Sequence, residues 1–323
     1  MSQVPPSTTP EESASPVVPV CYRHPKRETY LRCVRCDRPI CPECLREAPV
    51  GFQCPECVAQ GRRTVRQTRT VFGGSSRGVL GYVTKALIFI NVVMLVVSAS
   101  TGGVGGLFGG GLGGLLGGTT PLTNWGSVWG VAQFEVRGRV VSQAPAGIAT
   151  GEYYRLFTSM FLHYGLLHLA LNMWALWVLG RELEARLGPA RFLSLYLVAG
   201  LGGSVACYIF TPAVQAAGAS GALYGLFGAL FVVFRKLNLS TSSIITVLVI
   251  NLVFSITVPG ISIAAHIGGL IVGTLVGVAL TYPPREIRNR VAIATVVGLL
   301  LFLGAATVAQ TVHINAVYGA LGR

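Results

Sequence analysis

A serine and a histidine in two separate apolar segments are the residues best suited to chemistry. Ser220 lies in Gly218-Ala219-Ser220-Gly221, just ahead of the apolar run Ala222 to Phe234. Small neighbours leave its hydroxyl uncovered, and glycine admits other backbone close by. A serine hydroxyl is a weak nucleophile until a base takes its proton. His266, in Ala264-Ala265-His266-Ile267-Gly268-Gly269, is the candidate base. Ala265, Gly269, Gly273 and Gly277 recur at four-residue intervals, and Gly221 and Gly225 do the same beside the serine. Such stripes let two helices approach closely enough for the two side chains to hydrogen-bond. A small-residue packing seam with an incidental serine and histidine is the competing reading.

Acyl transfer also needs donors aimed at the developing negative oxygen, and one such donor is worth roughly 3 to 4 kcal/mol where it has been measured best. His168 and Asn172 are four residues apart and share a helix face, with His163 rotated to a different face of the same segment. Together with the backbone N–H of Ser220 they would complete an oxyanion site. Read singly, His168 and Asn172 are interhelical polar contacts, worth about 0.6 kcal/mol per bond on average.

A second constellation has metal chemistry. Cys21 and His24, Cys33 and Cys36, Cys41 and Cys44, and Cys54 and Cys57 form four pairs with two residues between partners. That spacing puts two ligands on one tight turn, and eight ligands fill two tetrahedral sites, so two zinc ions are expected. A disulfide framework fits poorly, because the cysteines of this segment are odd in number and one partner is a histidine. With every position taken by a protein ligand, both zinc ions would be structural and none would serve catalysis. The order of the pairs resembles a B-box-type zinc finger. That resemblance implies that the first and third pairs share one ion and the second and fourth the other; tandem pairing stays open.

Composition sets the elements that must hold these residues. The 323 residues are 52% hydrophobic and 11% charged, with 41 glycines and a mean hydropathy of +0.61. This is an all-α polytopic membrane protein, not a soluble domain. Apolar spans are expected near 80–100, 160–180, 190–210, 219–236, 242–259, 261–282 and 291–312, seven in all. The net charge of +13 invites a nucleic-acid reading, but the cations are placed otherwise. Arg181, Arg186 and Arg191 follow the second span, Arg235 and Lys236 the fourth, and Arg285, Arg288 and Arg290 the sixth, whereas the loops near 211–218 and 259–262 carry none. The positive-inside rule then puts the metal module in the cytoplasm and the C-terminus outside. No nucleic-acid partner is expected. Asn91 and Asn251, inside spans, read as interhelical hydrogen bonders.

These residues resemble a family, the rhomboid intramembrane serine proteases. The carriers are His168-Leu-Ala-Leu-Asn172, Gly218-Ala-Ser220-Gly221, and His266-Ile-Gly-Gly269 with Gly273. Glu152-Tyr-Tyr-Arg155-Leu-Phe is similar to the family's first-loop Trp-Arg motif with Tyr154 in place of the tryptophan, and Glu184-Ala-Arg-Leu-Gly188 is similar to the end of its second span. The resemblance covers about residues 79 to 282. It implies a rhomboid-like helix bundle, a Ser220 nucleophile, a His266 base with no orienting carboxylate, and an oxyanion hole from His168, Asn172 and the Ser220 amide. It further implies that Tyr224 packs on the His266 ring, Gly218 keeps the approach open, His163 builds the outer end of the cavity, and Arg155 braces the first loop. Its substrates would be transmembrane helices of other proteins, cut near their outer ends.

The expected organisation is a disordered tail (1–20), a B-box-type zinc-binding module (21–60), a basic juxtamembrane linker held by anionic lipid (61–78), a six-helix protease core (79–282), and a seventh span with a tail (283–323). The glycine-rich run 102–118 reads as a flexible linker whose apolar residues lie in the interface. The protein is expected in the plasma membrane of a bacterium, embedded in the bilayer, with a cytoplasmic protein partner through its zinc module. Two rival functions remain at this point. An inactive rhomboid-like binder of membrane clients typically lacks the serine or the histidine, and both are present. A transporter could use glycine-rich spans with buried histidines, but no internal repeat is visible.

Overall fold

The computed structural model describes residues 18–64, 69–103, 105–108, 118–136, 139–258 and 260–318. The expected tail lies almost wholly outside these residues, as do Arg66 and most of the glycine-rich run. The chain divides into two compact units, residues 1–67 and 68–323.

In the first unit, β1 (Arg46–Glu47) pairs antiparallel with β2 (Phe52–Gln53), and α1 (Pro55–Thr64) closes the chain. Its buried interior is Ile40 and six cysteines. So small an apolar core does not by itself sustain a fold, and the cysteines must contribute through something they bind.

The second unit begins with a 3-10 turn, Ser76–Leu80, followed by α2 (Tyr82–Gly102), α3 (Gly105–Phe108) and α4 (Pro121–Gly126). A hairpin comes next, β3 (Val131–Val136) with β4 (Arg139–Pro145), and then α5 (Arg155–Thr158). The main bundle is α6 (Leu166–Leu187), α7 (Pro189–Phe210), α8 (Ser220–Lys236), α9 (Ser242–Thr257), α10 (Ile263–Thr281) and α11 (Arg288–Tyr318). The reading as an all-helical bundle stands, with two short hairpins added.

Seven long helices, at the seven expected places, occur among the described residues. Four of them, α2, α7, α10 and α11, are long and apolar enough to cross a membrane alone, and α6 joins them if the bent segment before it is counted. At 17 and 16 residues, α8 and α9 are short; 16 residues rise about 24 Å against a hydrocarbon core of about 30 Å. Large apolar side chains such as Phe89, Trp174, Ile256, Ile271 and Phe302 point outward, as lipid-facing residues do.

Backbone contact between α8 and α10 sets the centre. A Cβ on Gly269 would overlap the Gly221 carbonyl, one on Gly273 the Gly225 backbone, and one on Gly277 would lie 2.8 Å from Ala229 Cα. Aromatic and leucine side chains fill the remaining space, with Phe192, Leu195 and Tyr196 of α7 fully buried. At the opposite pole from the serine, Glu184 is fully buried. Its carboxylate accepts from Val83 N (2.9 Å), Thr84 N (2.8 Å) and Thr84 Oγ1 (2.8 Å), capping the N-terminus of α2.

Four expectations need correction or extension. The second span begins as a helix only at Leu166, because Gly165 takes φ 84° and the segments on either side meet at 89°. His163 therefore stands in the break and not on a helix face. Within the expected linker (61–78), the part around Phe72 is docked on the bundle as well: Phe72 is buried, and its carbonyl accepts from Arg191 Nη1 (2.5 Å) and Arg288 Nη1 (3.0 Å). Asn251 is not an interhelical hydrogen bonder, since its amide donates to Val247 O one turn back in its own helix at 2.8 Å; Asn91 donates to Leu87 O in its own helix at 2.7 Å and also meets Tyr196 of α7.

The seam makes a clear demand on side-chain size. Gly273→Leu must separate α8 from α10 and should lower the detergent melting temperature by about 10 °C or abolish the folded protein. Gly304→Leu, on α11 where no atom lies within 4 Å of the added carbon, should leave the transition within about 2 °C. Equal melting temperatures for the two variants would contradict the packing described.

Candidate functional site

The close approach of α8 and α10 brings Ser220 Oγ to 2.8 Å from His266 Nε2. Ser220 is the first residue of α8, where backbone N–H groups have no partner inside the helix. His266 is buried in the first turn of α10. Tyr224, one turn past Ser220, stacks on the imidazole with ring centres 4.1 Å apart and planes 11° from parallel. That stacking fixes the plane of the ring, so Nε2 faces the serine instead of rotating away.

Both residues line a cavity of about 470 Å³. His168 and Asn172 line it too, and Asn172 Nδ2 is a buried donor with no hydrogen-bond partner among the described residues. A buried donor left without a partner is costly, unless something arrives to accept from it. Gly218 has φ 138°, and a Cβ there would lie 2.8 Å from His168 Nε2; any larger residue would close the space between that nitrogen and the serine.

His163 is placed otherwise than the resemblance implied. It does not line the cavity; it lies behind His168, the two rings edge to face at 5.0 Å, and Ala219 N donates to its Nε2 at 3.5 Å. Its contact is with the turn that presents Ser220. Arg155 is buried and ties the first loop together, donating to Glu152 Oε2 (2.5 Å), Asn124 O (2.7 Å) and Ser127 O (3.2 Å). Tyr154, which stands where the family motif has a tryptophan, stacks on Trp125 with ring centres 4.8 Å apart.

One member of the site is not apparent from the sequence. Ser255 of α9 is buried with Oγ 2.7 Å from His266 Nδ1, 2.9 Å from the Tyr224 hydroxyl and 2.7 Å from Asn251 O. It is a serine in an apolar span, and the turn between α9 and α10 hides its proximity to the histidine.

In the first unit, Cys21, His24, Cys41 and Cys44 form one cluster and Cys33, Cys36, Cys54 and Cys57 another. This is the crossed pairing, first with third and second with fourth. The ligand atoms of each cluster lie within 4.8 Å of one another. Cys36 Sγ and Cys54 Sγ are 3.8 Å apart, and His24 Nδ1 is 3.2 Å from Cys41 Sγ and 3.4 Å from Cys44 Sγ. A tetrahedral ion with bonds of about 2.0 to 2.3 Å needs edges of roughly 3.5 to 3.8 Å, so the donor sets fit one metal ion each. The thiols agree. Burial pushes Cys21 and Cys33 up, but backbone N–H groups, from Cys41 for the first and Cys54 for the second, outweigh it and hold both at about 6. Burial and the neighbouring sulfurs drive Cys44 to about 11 and Cys57 to about 12. Sulfurs so close, three in the first cluster and four in the second, cannot all ionise without a cation among them.

Comparison with known proteins bears on the second unit. A family model described as the Rhomboid domain matches residues 150–283. Rhomboid protease GluP of Bacillus subtilis (strain 168) is 42% identical over 162 residues, 49% of this chain and 32% of GluP. Putative rhomboid protease YdcA of the same organism is 38% identical over 135 residues, 40% of this chain and 68% of YdcA. RHOMBOID-like protein 6, mitochondrial, of Arabidopsis thaliana is 35% identical over 149 residues, 43% of this chain and 48% of that protein. The chain thus spans about a third of GluP and about half of the plant relative.

The metal clusters predict a stoichiometry and a pairing. Elemental analysis of the purified chain should find two metal ions. The double variant Cys21→Ala, Cys41→Ala should lose one, and Cys21→Ala, Cys33→Ala should lose both. The reverse pattern would mean tandem sites, and one ion or none in the wild type would contradict the geometry.

Proposed function

Because the chain belongs to the rhomboid family, we propose that it is an intramembrane serine endopeptidase that cleaves transmembrane segments of other membrane proteins. The observation that carries this reading is the 2.8 Å contact between Ser220 Oγ and His266 Nε2 inside a cavity that also holds an unpartnered amide donor. Inactivity or a binding-only role offers no reason to align a nucleophile, a base and free donors in one cavity. Neither does transport.

In this reading His266 Nε2 takes the Ser220 proton as Oγ attacks the scissile carbonyl. The carbonyl oxygen becomes negative and is held by the Ser220 N–H, Asn172 Nδ2 and His168. His266 then passes its proton to the leaving amine, which departs and leaves an ester on Ser220. Water, activated by the same imidazole, attacks the ester, releases the acid and restores the serine hydroxyl. Substrate enters from the bilayer as a helix, and it must locally unwind, since a helical carbonyl is already hydrogen-bonded and shielded.

The geometry and donor chemistry of the two clusters favour zinc, held by Cys21, His24, Cys41 and Cys44 and by Cys33, Cys36, Cys54 and Cys57. Bound there, zinc would supply folding free energy to the small module, with no open position for catalysis. The arrangement of cations supports an orientation. Arg186 lies over Phe234, Lys236 over Tyr282, and Arg191 bonds Asn289, so the basic residues of α6, α7, α8 and the α10–α11 turn share one end of the bundle. That end would face the cytoplasm, with seven spans crossed and the C-terminus outside.

Two experiments test this. Ser220→Ala and His266→Ala should each abolish cleavage of a model transmembrane substrate, and the double variant should be no worse than either, because the pair acts as a unit. Asn172→Ala should be milder, losing about a hundredfold. Full proteolysis by Ser220→Ala would refute the assignment. For topology, a reporter fused after Arg323 should be active only outside the cytoplasm, and one fused after Lys236 only inside; an inside C-terminus would contradict the seven-span arrangement.

A further inference from the structure

We propose that Ser255 is a positioning residue for His266, setting the tautomer in which Nε2 is free to accept the Ser220 proton. The inference rests on the Ser220–His266 reading and adds a third member to it. Of α9, Asn251, Phe254 and Ser255 line the cavity, and of these three only Ser255 is buried.

Counting protons decides what that side chain does. Ser255 Oγ has three polar neighbours: Asn251 O at 2.7 Å, the Tyr224 hydroxyl at 2.9 Å and His266 Nδ1 at 2.7 Å. A carbonyl oxygen can only accept, and two oxygens approach to 2.7 Å only with a proton between them, so the serine hydroxyl donates to Asn251 O. Its two lone pairs then face Tyr224 and His266, and both must donate. The Tyr224 hydroxyl supplies its own proton, and His266 supplies one from Nδ1. A neutral imidazole has a single N–H, so Nε2 is left bare, 2.8 Å from Ser220 Oγ. All the hydrogen-bonding capacity of Ser255 is used in holding this one arrangement.

The arrangement does for the imidazole what a carboxylate does in a three-residue protease site, but without a charge. A buried carboxylate in a membrane span would be expensive to maintain. A hydroxyl anchored on its own helix backbone orients the ring at lower cost. When Nε2 takes the Ser220 proton, the Nδ1–H contact to Ser255 also strengthens, because the donor has become a cation. Ser255 itself exchanges no proton with substrate.

The test uses the full-length chain in detergent. With ¹⁵N-histidine labelling in the Ser220→Ala background, the His266 signal, identified by its loss in Ser220→Ala, His266→Ala, should show a protonated Nδ1 and a bare Nε2 near neutral pH. Adding Ser255→Ala should move it toward the other tautomer. In otherwise wild-type protein, Ser255→Ala should lower kcat by about 10- to 100-fold with KM within about twofold, and Ser255→Thr, which keeps the hydroxyl, should recover most of the loss. A protonated Nε2 with Ser255 present, full kcat in Ser255→Ala, or Ser255→Thr no better than Ser255→Ala would overturn the proposal. If Ser255→Ala does not fold, the tautomer measured with Ser255 in place decides alone. The parent reading fails separately, by cleavage in Ser220→Ala, a result on which the tautomer has no bearing.

Discussion

Along the line where α8 meets α10, backbone touches backbone. Gly221, Gly225, Gly269 and Gly273 present no side chains there; an added carbon on Gly225, Gly269 or Gly273 would occupy space held by the other helix, and one on Gly221 would press on the Ala265 carbonyl at 3.3 Å. Lipid tails are as apolar as leucine, so helices in a bilayer gain little by hiding apolar surface from one another and depend on close van der Waals packing. The glycine seam supplies that packing. It also sets the distance at which everything else operates: with a bulkier seam the two axes would part by a few ångströms, and the 2.8 Å contact between Ser220 and His266 would not exist.

From that seam the polar interior follows. A hydroxyl, an imidazole and an amide inside a membrane bundle must each find a partner or remain as an unpaid cost. Most are satisfied: His266 by Ser220 and Ser255, Tyr224 by Ser255, Arg155 by three loop oxygens. The exceptions nearest the serine are Asn172 Nδ2, in the cavity wall, and His163 Nδ1, outside it. Where so much is paired, the donor left open in the cavity wall marks the place where a substrate oxygen is expected.

Much of this was legible in the residues themselves. Four-residue glycine spacing implies a helix contact whatever surrounds it, and Cys-x-x-Cys pairs imply metal because two ligands on a turn have few other uses. Span positions followed from apolar length. What escaped notice depended on three-dimensional return of the chain. Ser255 looks like any serine in a span until α9 folds back against α10. His163 looked helical because nothing in Leu162-His163-Tyr164 announces the break that Gly165 imposes with its positive φ. The docking of Phe72 under Arg191 and Arg288 joins residues more than a hundred positions apart, and in sequence those two arginines read only as loop cations that orient the bundle. Asn251 kept its amide within its own helix, a choice that composition cannot reveal.

The central claim is that the seam turns Ser220 into a nucleophile inside the membrane. Treating the purified protein with a fluorophosphonate and mapping the adduct by mass spectrometry tests it most directly. The account predicts one phosphonylated residue, Ser220, with labelling lost when His266 is replaced by alanine. An unmodified Ser220 in folded protein, or an adduct that forms equally well without His266, would contradict it.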